Sequence, residues 1–202
     1  RDLTKAVTKK GLPVLYKQDT TNDLFTLCFV LPFGDEHDPK LNYAAGYLDY
    51  LGTDKLTNEQ IKQQFYKLAC DYSISERNER TYITLNGLNS NLPQALALLN
   101  DLIGNAKADR QAYDLYVEQI LKTRSDNKAN QQANFSALRN YATYGTYNPT
   151  RNILSEKALK AMNPQELLTM LKSLKNYKMT VLYYGPSSLK AIDQLVTKTV
   201  RS

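Results

Sequence analysis

Eight consecutive residues, Leu24–Leu31 (LFTLCFVL), carry no charge and a single hydroxyl. So short an apolar run, closed by Pro32, Gly34 and Pro39, predicts a β-strand rather than a helix. Its lack of polar alternation predicts a central strand buried on both faces. A chain built around such a strand must flank it with other strands and cover it with helices. The remaining sequence has to supply both.

It supplies them in separated runs. Ala6–Lys9 and Val14–Lys17, around Gly11 and Pro13, predict a hairpin. Asn42–Leu51 predicts a helix, with Tyr43, Gly46, Tyr47, Tyr50 and Leu51 at helical spacing and Gly52 as its C′ residue. Thr57-Asn-Glu-Gln60 is a capping box opening a second helix that carries Ile61, Phe65 and Leu68. Asp71–Ser75 and Thr81–Leu88 predict strands joined by the turn Arg77–Arg80. Helical stripes follow at Leu92, Ala95, Leu96, Leu99, Leu102 and Ile103, then at Tyr113, Tyr116, Val117, Ile120 and Leu121, the latter capped by Asp109. A further helix is predicted over Ala133–Tyr144, ending at Gly145. Asn163-Pro164-Gln165-Glu166 starts another, burying Leu167, Leu168 and Leu171. Met179–Tyr184 predicts a last strand, and Leu189, Ile192, Leu195 and Val196 a last helix. No linker-like stretch or repeat divides the chain. The order predicts an α+β domain, a mostly antiparallel sheet with helices packed on one face.

The bulk composition narrows the functional classes. At 42% hydrophobic and 23% charged residues, the 202-residue chain has enough apolar side chains for a core, which excludes a disordered segment. No run approaches the roughly 20 apolar residues of a membrane-spanning helix. The net charge of +6 permits an anionic surface as partner. The cations, however, do not form a tract: Lys9-Lys10 and Lys172/Lys175/Lys178 are the densest groups, which reads as a solvated basic surface rather than a nucleic-acid footprint. The chain begins RDLTKAVTKKG, without an initiating Met or the apolar core of a secretion signal. The expectation is therefore one domain spanning 1–202, excised from a longer protein. Its compartment stays open: periplasmic or otherwise exported if the full-length protein carries a signal, cytoplasmic if not. Cys28 and Cys70 each lie in apolar surroundings, and whether they pair is also open.

Independent catalytic chemistry finds little support. The one histidine, His37, lies in the acidic loop Asp35-Glu36-His37-Asp38, and adjacent residues cannot converge on one ion without a special loop fold. There is no Gly-x-Ser-x-Gly elbow for it to serve, no phosphate loop and no dinucleotide fingerprint. Fifteen tyrosines are the other conspicuous feature. Tyr43, Tyr47 and Tyr50 share a helix face and read as core with hydroxyls at its edge. Tyr141, Tyr144 and Tyr147 cluster beside Gly145, and are candidate substrate-binding residues.

The segment Phe29–Thr57, with Gly52-Thr53 and Leu56-Thr57, resembles the start of an insulinase/pitrilysin-type zinc metallopeptidase domain. The hairpin Asp71–Leu88, the helix from Leu92, and Met162–Leu167 followed by Met179–Gly185 fit the same frame, so the resemblance runs along the whole chain. It implies the α+β metalloprotease-like fold of the insulinase and mitochondrial processing peptidases. In active members a helix bears H-x-x-E-H, whose histidines bind zinc and whose glutamate activates water. By that frame the histidine positions fall on Gly46 and Tyr50 and the glutamate on Asp49. The third ligand, a glutamate, would lie near Ile120–Arg124, where no acid occurs; Glu118 and Asp126 are nearest. The resemblance therefore implies an inactive, C-terminal-type domain with no metal or cofactor of its own. Its implied partners are a zinc-bearing catalytic domain, on the same or another chain, and a peptide substrate, with no nucleic acid and no membrane span. The alternative is a basic, Tyr-rich module that binds nucleic acid or a protein.

Overall fold

The apolar run becomes the middle of a six-stranded sheet. The computed structural model describes residues 3–32, 38, 40–77, 80–130, 139 and 154–199. The strands are β1 (Thr4–Val7), β2 (Pro13–Gln18), β3 (Leu24–Leu31), β4 (Cys70–Arg77), β5 (Arg80–Leu88) and β6 (Thr180–Gly185), in the order β1-β2-β6-β3-β5-β4. Only β2 and β6 pair in parallel; the other neighbours are antiparallel. The helices are α1 (Lys40–Leu48), α2 (Asn58–Lys67), α3 (Leu92–Asn105), α4 (Arg110–Ala129), α5 (Glu156–Ala161), α6 (Pro164–Ser173) and α7 (Leu189–Thr199). The α+β class, the mostly antiparallel sheet and the helices on one face agree with the sequence pattern. No helix among the described residues is long and apolar enough to cross a membrane.

One face of the sheet makes the core. Phe25, Leu27, Phe29 and Leu31 of β3 are buried there beside Ile83 and Leu85 of β5, Val181 and Tyr183 of β6, and Val14 and Tyr16 of β2. Leu92, Leu96 and Leu99 of α3 and Leu167, Leu168 and Leu171 of α6 join the same cluster. Each such side chain contributes about 1.5–3 kcal/mol by leaving water.

The other face departs from expectation. Thr26 and Val30 are only half-buried, Leu24 is 55% exposed, and Tyr184 on the neighbouring strand is 44% exposed. Among the described residues, then, β3 is covered fully on one face only. Its apolar outer residues line an open surface together with Leu15, Tyr82, Thr84 and Leu182. Cys28 belongs to this face and is buried among its neighbours; Cys70 belongs to the core face, and neither is in a disulfide.

Local chemistry explains where elements begin and end. Thr57 closes the expected capping box with Gln60, Asp109 accepts from the amides of Gln111 and Ala112, and Asn163 from that of Gln165. Glu166 pairs with Lys40 of α1 instead of closing a box on Asn163. The first strand ends at Val7, not Lys9, because the Thr8 hydroxyl and amide both bond Leu12 and Gly11, at φ +84°, turns the chain. α1 starts two residues early: the Asp38 carboxylate, counted above with the acidic loop, caps it by accepting from the Lys40 amide at 2.9 Å. It also stops early, at Leu48, where i→i−3 bonds from Asp49, Tyr50 and Leu51 tighten the last turn. Gly52 is consequently not a C′ residue. It is small because a Cβ there would stand 2.5 Å from the Leu56 carbonyl. The helix expected over Ala133–Tyr144 lies outside the described residues except for Arg139. α5, capped by Ser155, was not anticipated, since its six residues bury only Leu159.

Candidate functional site

α1, α4 and β4 enclose a cavity of about 390 Å³. Gly46 and Asp49 line it, and the Tyr50 ring lies 5.3 Å from that of Tyr116 on its wall, so these three residues are brought together. Asp49 lies just past the end of α1 rather than on it. Its Oδ1 accepts from the Tyr72 hydroxyl of β4 at 2.8 Å.

The far wall comes from α4. Tyr116 and Ile120 line the cavity, and the Tyr116 hydroxyl donates to the Tyr43 carbonyl at 2.9 Å. Arg124 Nη2 donates to the Tyr43 hydroxyl at 3.0 Å, as does the Leu154 amide. The helix thus approaches α1 beside Tyr43 and presents a phenol, an isoleucine and a guanidinium to it. Glu118 and Asp126 are exposed.

Gly46 explains the packing. A Cβ built on it would overlap the Tyr116 hydroxyl, with Cζ 3.0 Å and Cε2 3.1 Å away. The phenol of Tyr116 therefore fills the volume into which any side chain at position 46 would project. Burial pushes the Tyr116 hydroxyl well above its ordinary pKa, helped by the neighbouring tyrosines Tyr43, Tyr113 and Tyr50. Burial does the same for Tyr72, reinforced by the Asp49 charge. Both phenols stay protonated at physiological pH and act as donors.

Behind the cavity the tyrosines are structural. Tyr47 is fully buried, stacks on Tyr116 at 6.0 Å, donates to the Asp109 carbonyl and accepts from the Asp109 amide. Tyr113 meets the Tyr47 ring edge-on and donates to the Leu159 carbonyl. Sequence patterning had placed Tyr116 in a packing stripe and Tyr72 in a strand. The one signal linking them to this site was a glycine in the middle of a helix, which implies a close neighbour. Tyr141, Tyr144, Tyr147 and His37 lie outside the described residues. Among the described residues no group of three or more His, Cys, Asp or Glu side chains could hold a metal.

A family model described as insulinase (peptidase family M16) matches residues 14–157. Among solved structures, the peptidase M16 inactive domain from Pseudomonas fluorescens superimposes with a TM-score of 0.79 at 16% identity, covering 99% of this chain and 50% of that one. The periplasmic protease PqqL from Escherichia coli gives 0.76 at 16% identity, over 98% of this chain and 23% of that one. A protease from Helicobacter pylori gives 0.75 at 13% identity, over 98% and 50%. The chain thus spans half or less of the length of these structures, and at these identities the likeness establishes the fold. No curated protein matches the chain by sequence.

Proposed function

The chain belongs to the insulinase family of peptidases, family M16, and on that premise we propose that it is a non-catalytic domain of a larger zinc peptidase. In this reading residues 1–202 form one domain of a multi-domain protein. It pairs with a catalytic domain, on the same or another chain, and the two enclose a peptide substrate. The likeness to the periplasmic protease PqqL supports a periplasmic setting where the full-length protein carries an export signal.

The observation that carries the reading is the filling of Gly46 by Tyr116. If the family's zinc motif corresponds to Gly46, Asp49 and Tyr50, these residues do not fit the ion. Gly46 offers no donor atom, and the space beside it holds a phenol. Asp49 is engaged by Tyr72, and α4 contributes no carboxylate to the cavity. Zinc sites need three or four His, Cys, Asp or Glu ligands around one point. The zinc of the parent protein is accordingly assigned to the partner domain, and no hydrolytic step to this one.

What the domain contributes is confinement. The open face of the sheet, with Leu15, Leu24, Val30, Tyr82, Leu182 and Tyr184, offers a broad wall of apolar and hydroxyl-bearing side chains. Holding a peptide against a distant reactive centre lowers the entropic part of the barrier without any reacting group on this side. The test is to assay the parent's catalytic half on unfolded peptides with and without this chain. The chain alone is expected to hydrolyse nothing, and its addition to raise turnover at least tenfold. Equal turnover in both cases would sink the reading.

A further inference from the structure

A second cavity, of about 280 Å³, opens between the C-terminal ends of α3 and α6 and the core face of the sheet. Its walls are apolar: Phe29 and Ile83 from the sheet, Leu99 and Ile103 from α3, and Leu174 and Met179 from the segment joining α6 to β6. All six belong to the hydrophobic core or pack against it. The polar groups lie at the rim, where Asn100 and Gly104 are exposed and Lys172 and Thr199 half-buried. The Thr199 hydroxyl donates to the Leu195 carbonyl at 2.7 Å, so its proton is committed. Lys172 has no ion-pair or hydrogen-bond partner among the described residues, and no carboxylate among them lines the cavity.

Gly104 is the second observation. It lies within α3, where glycine is a poor helix residue. Unlike Gly46 and Gly52 it has no close neighbour, since a Cβ there would meet nothing within 4 Å. Its φ is not positive either. Neither packing nor backbone shape calls for glycine at this position; an unobstructed cavity mouth does.

The lining selects its guest. An apolar cavity of ~150 Å³ already holds a molecule the size of benzene, so this one has room for a small hydrocarbon body. Apolar walls with a few polar groups at one end are the usual make-up of a small-molecule site. A cation would meet the Lys172 ammonium and find no carboxylate to offset it. A peptide segment would bring backbone N–H and C=O groups against apolar walls, where they lose water without gaining partners. A hydrocarbon chain ending in a carboxylate uses every part: the chain lies on the walls, and the head group accepts from the Lys172 ammonium and the Asn100 amide.

We propose that this cavity binds a small aliphatic carboxylate, a free acid whose chain enters between α3 and α6 and whose head group pairs with Lys172. The site is independent of the peptide-confining reading, because it lies on the helix-covered side of the sheet, away from the open face.

The experiment titrates the isotope-labelled full chain with octanoate, 1-octanol and octylammonium near neutral pH, all below their aggregation concentrations. Octanoate is expected to shift the amides of Leu99, Gly104 and Lys172 saturably and to bind at least fivefold more tightly than octanol, with octylammonium weakest. Lys172→Met should abolish the advantage of octanoate and leave octanol binding in place. Gly104→Leu, whose side chain would stand in the mouth, should weaken both ligands at least tenfold. Melting curves check that the variants fold, and Lys172→Met carries the test alone if Gly104→Leu does not. No saturable shifts, equal affinity for octanoate and octanol, or a preference for octanoate that survives Lys172→Met would overturn the proposal. A hexapeptide ending in leucine with a free carboxylate is the last ligand. Tighter binding by that peptide at the same amides would assign the site to a peptide end and overturn the free-acid reading.

Discussion

Replacing Gly46 with alanine tests the packing argument at its narrowest point. On intrinsic propensity alone the change should stabilise α1 by about 1 kcal/mol, since glycine is a poor helix residue. The structure predicts the opposite sign. The new methyl would stand 3.0 Å from Cζ of Tyr116 and closer still to its hydroxyl, so the ring must shift. Tyr116 is only 9% exposed and wedged between Tyr47, Tyr50 and Tyr113, which leaves it little room. Overpacking of this kind costs ~1–3 kcal/mol. The displaced hydroxyl also loses its bond to the Tyr43 carbonyl, a further ~1–3 kcal/mol if it stays buried and unpaired. The net expectation is a loss of about 2 kcal/mol after the propensity gain is counted. Urea unfolding followed by circular dichroism reads this as a lower midpoint at unchanged slope. Tyr116→Phe removes the clashing oxygen, so the double variant should be more stable than additivity predicts by at least about 1 kcal/mol. A neutral or stabilising Gly46→Ala, or additivity within ~0.5 kcal/mol, would refute the claim that Tyr116 occupies this space.

Two other substitutions probe the fold away from the cavity. Gly104, near the end of α3, would meet nothing within 4 Å if given a Cβ, so Gly104→Ala should stabilise the protein by about 0.5–1 kcal/mol, and a lower melting temperature would contradict the packing described. The Asp19 carboxyl is held down at about 2 by the Thr21 hydroxyl, the Tyr184 phenol at 2.5 Å and the Thr21 amide. A folded pKa below the unfolded value means that this interaction is present at neutral pH and fades as pH falls from about 4 toward 2. A carboxyl NMR titration should show the low value, and Tyr184→Phe should raise it; an unchanged titration in the variant would refute the contact.

The parts of this molecule that were legible in the sequence are those set by neighbours in the chain. Thr57, Asp109 and Asn163 cap their helices because a short polar side chain reaches the amides two or three residues on, whatever the rest of the protein does. The identity of β3 was equally plain. What its outer face would meet was not, because Thr26, Cys28 and Val30 take their environment from β5 and β6, in one case more than 150 residues away. The end of α1 was misjudged for the same reason: Gly52 answers to the Leu56 carbonyl and not to helix termination. In the cavity, the set Gly46, Asp49 and Tyr50 came from a family frame laid over the sequence. Tyr72 and Tyr116, which give the cavity its chemistry, are joined to that set only by the pairing of β4 with the sheet and the approach of α4 to α1. No local pattern records either.

The account stands on the claim that this domain has exchanged the metal centre of its family for tyrosine packing, and zinc titration tests that most directly. Protein purified free of chelator and metal would be titrated with zinc in a calorimeter near neutral pH, alongside the Asp49→Asn and Tyr50→Phe variants. The account predicts no stoichiometric zinc site and the same flat response in all three proteins. One equivalent of tightly bound zinc, lost on either substitution, would contradict it.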